Sequence, residues 1–165
     1  MKRPLRAARL PAFLAAPLLA AVLVVPDRAA AQSYGSIGAG VAFPTGELGD
    51  VTGTGFTVRG QAGLSLGLID AHVQAGWSRF PGEEIELEDV ALEVEDADIW
   101  HAGVGVRLGV GIIWLGGNVF YSWGDTDDAF GFAPEVGVEL GPIELVADYL
   151  FGDTNWAALR AGVRF

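Results

Sequence analysis

The sequence predicts an all-β fold, an eight-stranded antiparallel up-and-down transmembrane β-barrel. Three observations lead to this prediction. The chain is 51% hydrophobic, yet after residue 31 it has no run of about 18 apolar residues that would form a membrane-spanning helix. Apolar residues instead alternate with polar or small ones at a period of two, which is typical of strands. Finally, the segments that join these strands are short and long in turn, as in a barrel that crosses a membrane.

Residues 1–31 have the three-part pattern of a secretory signal peptide. Four basic residues precede an uncharged stretch over residues 13–25, and small residues lead up to a cleavage site after Ala31. As a helix, this stretch would rise only about 20 Å, which is short of the ~30 Å membrane core and disfavours a membrane anchor. We therefore expect a cleaved signal peptide over residues 1–31 and one barrel domain over residues 32–165.

The charge of the expected barrel domain is strongly negative. The chain has 10 basic and 21 acidic residues, of which five basic residues and the acid Asp27 lie in residues 1–31. Five arginines, no lysine and 20 acids remain, a net charge of −15. Such a surface repels nucleic acid, so we expect no nucleic-acid partner. The chain has no cysteine and therefore no disulfide.

Eight segments with alternating patterns are close to the ~9–11 residues that a tilted membrane strand needs. In the last of them, one face is wholly apolar, whereas the other has Arg160 and Arg164. Because one face of every segment is free of charge, we expect that face to meet lipid and the other to line the lumen. The predicted strands are 34–43, 55–66, 69–80, 98–108, 112–124, 129–140, 143–151 and 155–165.

The connections predict which end of the barrel faces outward. Short joints at 67–68, 109–111 and 141–142 alternate with longer ones at 44–54, 81–97, 125–128 and 152–154. Short turns are periplasmic and longer loops extracellular in such barrels, so both ends of the barrel domain are expected on the periplasmic side. Aromatic residues, which favour a membrane–water interface, lie at the outer ends of the strands: Phe43, Phe56, Trp77, Trp100, Tyr121, Trp123, Phe130, Tyr149 and Phe151.

The C-terminal segment 159–165 has alternating apolar residues and ends on Phe165. It looks like the signal read by the barrel-insertion machinery, although Val163 stands where an aromatic residue is more usual. Over residues 32–165 the chain resembles small outer-membrane β-barrel proteins of the OmpX/Ail kind and the membrane domain of OmpA. The resemblance implies a bacterial outer-membrane location and contacts with the insertion machinery, membrane lipids and lipopolysaccharide. We expect no cofactor and a monomeric state.

The inward positions predict a lumen filled by side chains, because eight strands leave an interior just wide enough for them. The short turns fix the register, so Glu139 is expected near Glu144, and Glu135 near Asp148. Such acid pairs repel unless neutralised, and we expect Arg160, with Arg59 or Arg107 from across the lumen, to pair with them. The alternative is a charged conduction path. The predicted network consists of Arg59, Arg107, Glu135, Glu139, Glu144, Asp148, Arg160 and Arg164.

A second alternative is catalytic. We expect Ser78 opposite His101 near the outer rim, and His72 near Arg107. A Ser–His pair at that depth is typical of outer-membrane lipid hydrolases, which need a nucleophile, a base and an orienting acid. Here no carboxylate is clearly placed as the third member, and both residues are ordinary lumen fillers. No catalytic residue is therefore assigned.

The loop after the third strand is acidic and alternates with apolar residues. Segments 84–88 and 92–96 are predicted to pair as a hairpin turning at residues 89–91, which would prolong strands three and four beyond the membrane. Oxygen ligands of this kind suit Ca²⁺ or Mg²⁺, so weak cation binding or a surface contact is expected here. The residues concerned are Glu83, Glu84, Glu86, Glu88, Asp89, Glu93, Glu95, Asp96 and Asp98.

These features favour a non-enzymatic outer-membrane barrel with a structural or surface-interaction role, its outer contacts made through the acidic loop. The first alternative is a narrow porin-like passage for small solutes, and the second is the lipid hydrolase. The sequence does not identify a ligand or a partner.

Overall fold

A computed structural model describes residues 32–87 and 90–165, with the backbone alone for 84–87 and 90–93. The expected signal peptide, residues 1–31, lies outside the described residues. Among the described residues, no helix is long and apolar enough to cross a membrane. A 3-10 turn lies at Gly46–Leu48, and the strands are β1 Gln32–Thr45, β2 Gly55–Ser65, β3 Ile69–Phe80, β4 Glu84–Leu87, β5 Val90–Glu93, β6 Ala97–Val110, β7 Ile113–Gly124, β8 Ala129–Leu140, β9 Ile143–Leu150 and β10 Asn155–Arg164.

Eight of these strands form a closed antiparallel barrel, which confirms the predicted fold class. Each barrel strand pairs with its neighbours along the chain, and β1 closes the ring against β10, with Ile37 opposite Val163. Closure leaves no unpaired strand edge in the ring, as a lipid environment demands. The predicted strand bounds agree with the structure to within a few residues. The strands β4 and β5 form a separate two-stranded sheet between β3 and β6.

The connections divide the barrel into two ends. Three tight turns at one end, the short-turn end, contain Gly67, Gly111 and Gly141 with φ of 86°, 67° and 67°. A positive φ is costly for residues with a Cβ, so glycine makes these turns possible. The first and last described residues lie at this end too, since Gln32 pairs with Ser65. The other end, the long-loop end, has the connections after β1, β3, β7 and β9.

The outward face of the barrel is apolar. Large aliphatic side chains are half exposed around the ring, among them Ile37 on β1, Val104 on β6, Leu115 on β7 and Val163 on β10. In water, so much exposed apolar surface would drive association. This face therefore has the properties of a lipid-facing belt.

Aromatic side chains form a girdle at the long-loop end, at the strand ends where the sequence predicts it. Trp77 lies between Phe56 and Trp100, with ring centroids 6.4 and 6.2 Å away. On the adjoining strands β7 and β8, Tyr121 contacts Phe130, with centroids 5.0 Å apart. Amphipathic rings in such a band favour a membrane–water interface.

Candidate functional site

The middle of the lumen contains buried ion pairs, most of which join strands that are not neighbours. Arg59 of β2 reaches across the barrel to β8 and β9, where its Nη1 is 3.0 Å from both Glu135 Oε2 and Asp148 Oδ2. Arg160 of β10 forms a second ion pair with Asp148. Each of these side chains is nearly inaccessible to solvent. Charge-assisted bonds of this kind tie opposite walls of the barrel together.

Arg107 of β6 connects three further groups in the same layer. Its Nε donates to Glu135 Oε1 at 3.2 Å, its Nη1 to Glu144 Oε1 at 2.6 Å, and its Nη2 to Gln61 Oε1 at 2.6 Å. The guanidinium also stacks on the ring of Trp114, 3.9 Å from the centroid. Arg107 is 1% exposed, so nearly all of its polar capacity is used inside the protein.

The acids of β8 and β9 face each other in the register that the short turn between these strands predicts. Glu135 is opposite Asp148, and Glu139 is opposite Glu144. Two carboxylates side by side would repel each other. Here each acid has an arginine partner from another strand, so the three buried arginines and three buried acids of this layer are balanced in charge.

A second charged group lies at the short-turn mouth of the lumen. Arg164 bridges Glu139 and Asp70, with 3.0 Å between its Nη2 and Asp70 Oδ2. Its guanidinium stacks on the ring of Tyr34 at 3.9 Å. A cavity of about 220 Å³ adjoins this group and extends to Arg107. The eight predicted network residues therefore form two layers, one buried in the middle and one at this mouth.

The long-loop half of the lumen is filled by apolar side chains, which we call the apolar plug. Phe80 and Ile99 are fully buried, and Trp156 is 1% exposed. Phe80 packs edge-on against Trp156, with ring centroids 5.8 Å apart. Leu48 from the 3-10 turn closes the plug from above. Its members are Ala42, Leu48, Phe80, Ile99, Phe120, Ala133, Leu150, Trp156 and Ala158.

The apolar plug is absent from the sequence prediction, although strand alternation places several of its residues on the inward face. Phe80 follows the inward Ser78 by two residues, and Ile99 precedes the inward His101 by two. Residues two apart on a strand share a face, so these apolar side chains belong inside. Apolar residues at the outer end of an inward strand face are therefore the sequence signal that indicates such a plug.

Inward glycines make room for the largest lumen side chains. A Cβ at Gly137 would overlap the ring of Trp114, and one at Gly131 would overlap the ring of Phe120. A Cβ at Gly76 would overlap the ring of His101. Large and small residues thus alternate across the lumen, as in other small barrels.

The predicted pairing of Ser78 with His101 is wrong. Ser78 lies opposite Ile99, whereas His101 lies opposite Gly76. The hydroxyl of Ser78 donates to Thr57 Oγ1 at 3.0 Å, and the ring of His101 lies 6.3 Å from that of Trp156. The register between β3 and β6 differs from the prediction by two residues because a long connection, unlike a two-residue turn, does not fix it.

The same shift displaces His72 from its predicted neighbour. His72 lies opposite Gly105, and Arg107 lies opposite Asp70. The Nε2 of His72 is instead 2.6 Å from Asn118 Oδ1 and 3.8 Å from Glu135 Oε1. His72 thus joins the edge of the buried charged layer.

The β4–β5 hairpin is present, but its turn differs from the prediction. Val90 and Ala91, predicted in the turn, belong to β5, and Leu87 pairs directly with Val90. The connecting residues 88 and 89 lie outside the described residues. The hairpin keeps the register of β3 and β6: between the pairs Phe80–Ala97 and Glu84–Glu93, both strands advance by the same number of residues.

The base of the hairpin is fixed to the barrel rim. Asp96 accepts hydrogen bonds from Arg79 Nη2 at 2.8 Å and from the Gly82 N–H at 3.1 Å. These two donors lower the pKa of Asp96 below its usual range. The connection after β1 adds further bonds, since the Glu83 N–H donates to the carbonyl oxygen of Val51.

The predicted acidic residues belong to several parts of this segment. Glu84, Glu86 and Glu93 belong to the hairpin strands, Glu95 and Asp96 to its base, and Asp98 to β6. Glu88 and Asp89 lie outside the described residues. Within the described part of the chain, no group of three or more His, Asp or Glu side chains is arranged to hold a metal ion. Weak Ca²⁺ or Mg²⁺ binding stays a prediction.

Phe165, the predicted insertion signal, lies at the short-turn end. Its N–H and carbonyl oxygen pair with the backbone of Gly35 at 2.9 and 2.8 Å. The side chain is 78% exposed. Its role in insertion stays a prediction.

Similar proteins are found by comparison of structures and not by comparison of sequences. No family model matches the sequence, and no curated protein matches it. Among solved structures, the chain is similar to Neisserial surface protein A, with 18% identity, coverage of 81% of this chain and 97% of that one, and a TM-score of 0.49. It is also similar to a porin, with 15% identity, coverage of 82% of this chain and 52% of that one, and a TM-score of 0.33. The likeness to small eight-stranded outer-membrane barrels is confirmed at the level of fold by the closed ring of this chain itself.

Proposed function

We propose that this protein is a closed, non-enzymatic barrel of the bacterial outer membrane that presents its long-loop end as an interaction surface at the cell exterior. In this orientation the described chain ends face the periplasm. The apolar outward belt and the girdle support the membrane location. The contrast between tight glycine turns and long connections supports the orientation.

The apolar plug is the observation that supports a closed barrel most directly. Phe80, Ile99 and Trp156 are at most 1% exposed, and an apolar constriction of this kind resists wetting and the passage of ions. Below it, the buried ion pairs fill the middle of the lumen. The structure thus supports a barrel whose lumen is filled by side chains that also link its strands.

A narrow passage is the second candidate, favoured by the cavity at the short-turn mouth. Its volume of about 220 Å³ gives water or a small solute access as far as Arg107. To cross the barrel, a solute would then have to displace both the ion pairs and the apolar plug.

Planar-bilayer recording separates the two candidates. We expect the unmodified protein to give no stepwise conductance, and the doubly truncated Phe80→Ala/Trp156→Ala variant to give steps because the plug is opened. The matched control is Phe56→Ala/Trp77→Ala, which removes two aromatic residues from the outward face and leaves the lumen intact. Reproducible steps from the unmodified protein would establish the passage instead.

The surface role rests on the distribution of charge. By sequence position, fifteen of the 20 acids after residue 31 belong to the long-loop end, where Arg79 is the basic residue. The five other acids line the lumen, together with four arginines. The charge excess of the barrel is therefore concentrated on the end proposed to face outward.

Deletion of residues 83–96 tests this role, because it removes the hairpin and leaves the pair Phe80–Ala97 available to close a shorter loop. We expect the variant to insert and stay closed while surface-dependent phenotypes are lost. Release of fatty acid from lipid A or phospholipid by the purified protein would instead indicate an enzyme. Ca²⁺ heat at millimolar concentration in calorimetry would support the predicted cation binding.

A further inference from the structure

The cavity at the short-turn end of the lumen, which we call the mouth cavity, has the size of a site for one small molecule. Its volume of about 220 Å³ corresponds to about seven water molecules at ~30 Å³ each, below the ~300–1,000 Å³ of pockets that take drug-sized ligands. Because the apolar plug closes the lumen beyond it, a ligand enters and leaves at the short-turn end. The polar side chains that line the cavity are those of Ser65, Asp70, Arg107, Trp114, Glu139 and Arg164.

The inner end of the mouth cavity presents hydrogen-bond donors. Arg107 and Trp114 are 1% and 4% exposed. A guanidinium has five N–H groups, and the hydrogen bonds of Arg107 within the lumen use three of them. The Nε1 of Trp114 has no hydrogen-bond partner within the described residues. A buried donor without an acceptor is costly, so this end favours a ligand group that accepts hydrogen bonds, such as a carboxylate.

The outer end of the mouth cavity presents acceptors and a net negative charge. Asp70 and Glu139 each use one carboxylate oxygen to accept a hydrogen bond from Arg164, which leaves the second oxygen of each acid for a ligand. Their side chains are 14% and 30% exposed, so a solute can reach them. Because two acids share one arginine here, whereas the buried layer is balanced, this end attracts positively charged groups.

Ligands with one kind of charge satisfy only half of this arrangement. A small anion would meet the inner donors, but the acids that it passes on entry would repel it. A simple cation would pair with the acids and leave the indole N–H of Trp114 and the spare N–H groups of Arg107 without an acceptor. An apolar ligand would desolvate the carboxylates without replacing their hydrogen bonds to water. The mouth cavity is therefore complementary to a molecule that has both charges.

We propose that the mouth cavity binds a basic amino acid, with its carboxylate at the inner donors and its two ammonium groups at Asp70 and Glu139. The second ammonium group follows from the charge, because it neutralises the acid that Arg164 leaves in excess. This site goes beyond the surface role of the long-loop end and is independent of it, since the apolar plug separates the two. Because the plug closes the lumen, the ligand is held and not passed through.

The test uses the purified protein in lipid nanodiscs, with L-lysine as the ligand, calorimetry at physiological salt as the measurement and empty nanodiscs as the blank. Norleucine lacks the second ammonium group, and cadaverine lacks the carboxylate. We expect lysine to bind with a dissociation constant of about 1 mM or below, a usual strength for a ligand of this size. Norleucine and cadaverine are each expected to bind about tenfold more weakly, because each loses a charge-assisted bond.

The decisive variant is Gly109→Leu, which fills the mouth cavity. Gly109 lines the cavity, and a Cβ at this position would meet nothing within 4 Å, so the barrel wall can accept the side chain. We expect this variant to lose lysine binding. The matched control is Gly60→Leu, at an outward strand position where a Cβ also meets nothing within 4 Å. This control is expected to bind lysine as tightly as the unmodified protein.

Two further variants test the two ends of the site separately. Trp114→Phe keeps an aromatic ring against Arg107 and removes the indole N–H, so we expect weaker binding of lysine and norleucine and unchanged binding of cadaverine. Glu139→Gln removes one acid and leaves Asp70 as the partner of Arg164. We expect this variant to bind lysine and cadaverine about tenfold more weakly, with a smaller effect on norleucine.

Three results would overturn the proposal. Absence of lysine heat at tens of millimolar, with the protein folded, would mean that the cavity holds only water. Lysine binding that Gly109→Leu leaves unchanged would place the ligand elsewhere, on the acidic long-loop end. Cadaverine that binds as tightly as lysine and is unaffected by Trp114→Phe would identify a site for cations alone. The surface role is tested separately by deletion of residues 83–96, so it stands or falls without the mouth cavity.

Discussion

The two halves of the lumen are filled in opposite ways. The half near the short turns contains arginines and carboxylates, whereas the half near the long loops contains aromatic and aliphatic side chains. In the first half, each group needs specific partners with defined geometry, since an unpaired buried charge is very costly. In the second half, stability comes from close packing, which depends on volume and shape. The same barrel thus combines directional and non-directional stabilisation.

This difference predicts that the charged half tolerates single changes worst. Arg107→Leu leaves Glu144 without its arginine and Glu135 with one arginine fewer. We expect a loss of about 4 kcal/mol in the free energy of unfolding, because the carboxylates stay buried without compensation. Urea unfolding from vesicles, followed by tryptophan fluorescence, measures the effect.

The double variant Arg107→Leu/Glu144→Leu sharpens the comparison. Replacing both members of a buried ion pair by apolar residues removes the uncompensated charge, so part of the stability lost in Arg107→Leu is expected to return. Simple addition of two single losses would mean that the pair is not coupled in the way its 2.6 Å bond indicates.

The apolar plug is expected to respond without such rescue. Ile99→Ala removes buried methyl groups and leaves a cavity beside Phe80, at a cost of about 3 kcal/mol. The milder Ile99→Val is expected to cost about 1 kcal/mol, and the same urea series measures both. A cost for Ile99→Ala close to zero would mean that the plug is loosely packed and does not seal the lumen.

A smaller loss of stability is expected when a glycine that faces the lumen in the charged half is replaced. Gly137→Ala places a Cβ against the ring of Trp114, which lies beneath the guanidinium of Arg107, so overpacking is expected to cost about 1–2 kcal/mol. The control is Gly60→Ala, a strand glycine where a Cβ would meet nothing within 4 Å. Its effect is expected to stay within about 0.5 kcal/mol. Equal effects of the two substitutions in urea unfolding would contradict the proposed crowding.

Much of the charged half could be predicted from the sequence, whereas its long-range pairings could not. The turn between β8 and β9 fixes Glu135 opposite Asp148, because a two-residue turn leaves one register. No such turn joins β3 to β6, so the sequence leaves their register open, and the predicted pair Ser78–His101 differs from the observed pair Ser78–Ile99. Which arginine reaches which acid across the lumen depends on barrel closure, a property that no local pattern contains.

The apolar plug shows a different limit. The inward orientation of Phe80, Ile99 and Trp156 follows from strand alternation. A polar lumen, however, is the expectation for such a barrel, and it covers only the polar members of each inward face. Leu48 comes from a connection rather than a strand, so alternation does not predict its burial. The strand residues of the plug can thus be predicted from the sequence, whereas the burial of Leu48 depends on how the connection after β1 folds.

The smallest expected effect lies outside both halves, at the base of the hairpin. Hydrogen bonds from Arg79 and the Gly82 N–H lower the pKa of Asp96 below its usual range. A carboxyl group with a lowered pKa stabilises the folded form above its unfolded pKa, and this contribution is lost as the pH falls through the lower, folded value. We therefore expect the Gly82 amide to lose hydrogen-exchange protection only when the pH falls below the usual range for an aspartate carboxyl, after correction for the intrinsic rate. Asp96→Asn at neutral pH is expected to show the same loss and little further change on acidification. A variant that keeps full protection, or that still responds to acid like the unmodified protein, would show that Asp96 does not hold the hairpin to the rim.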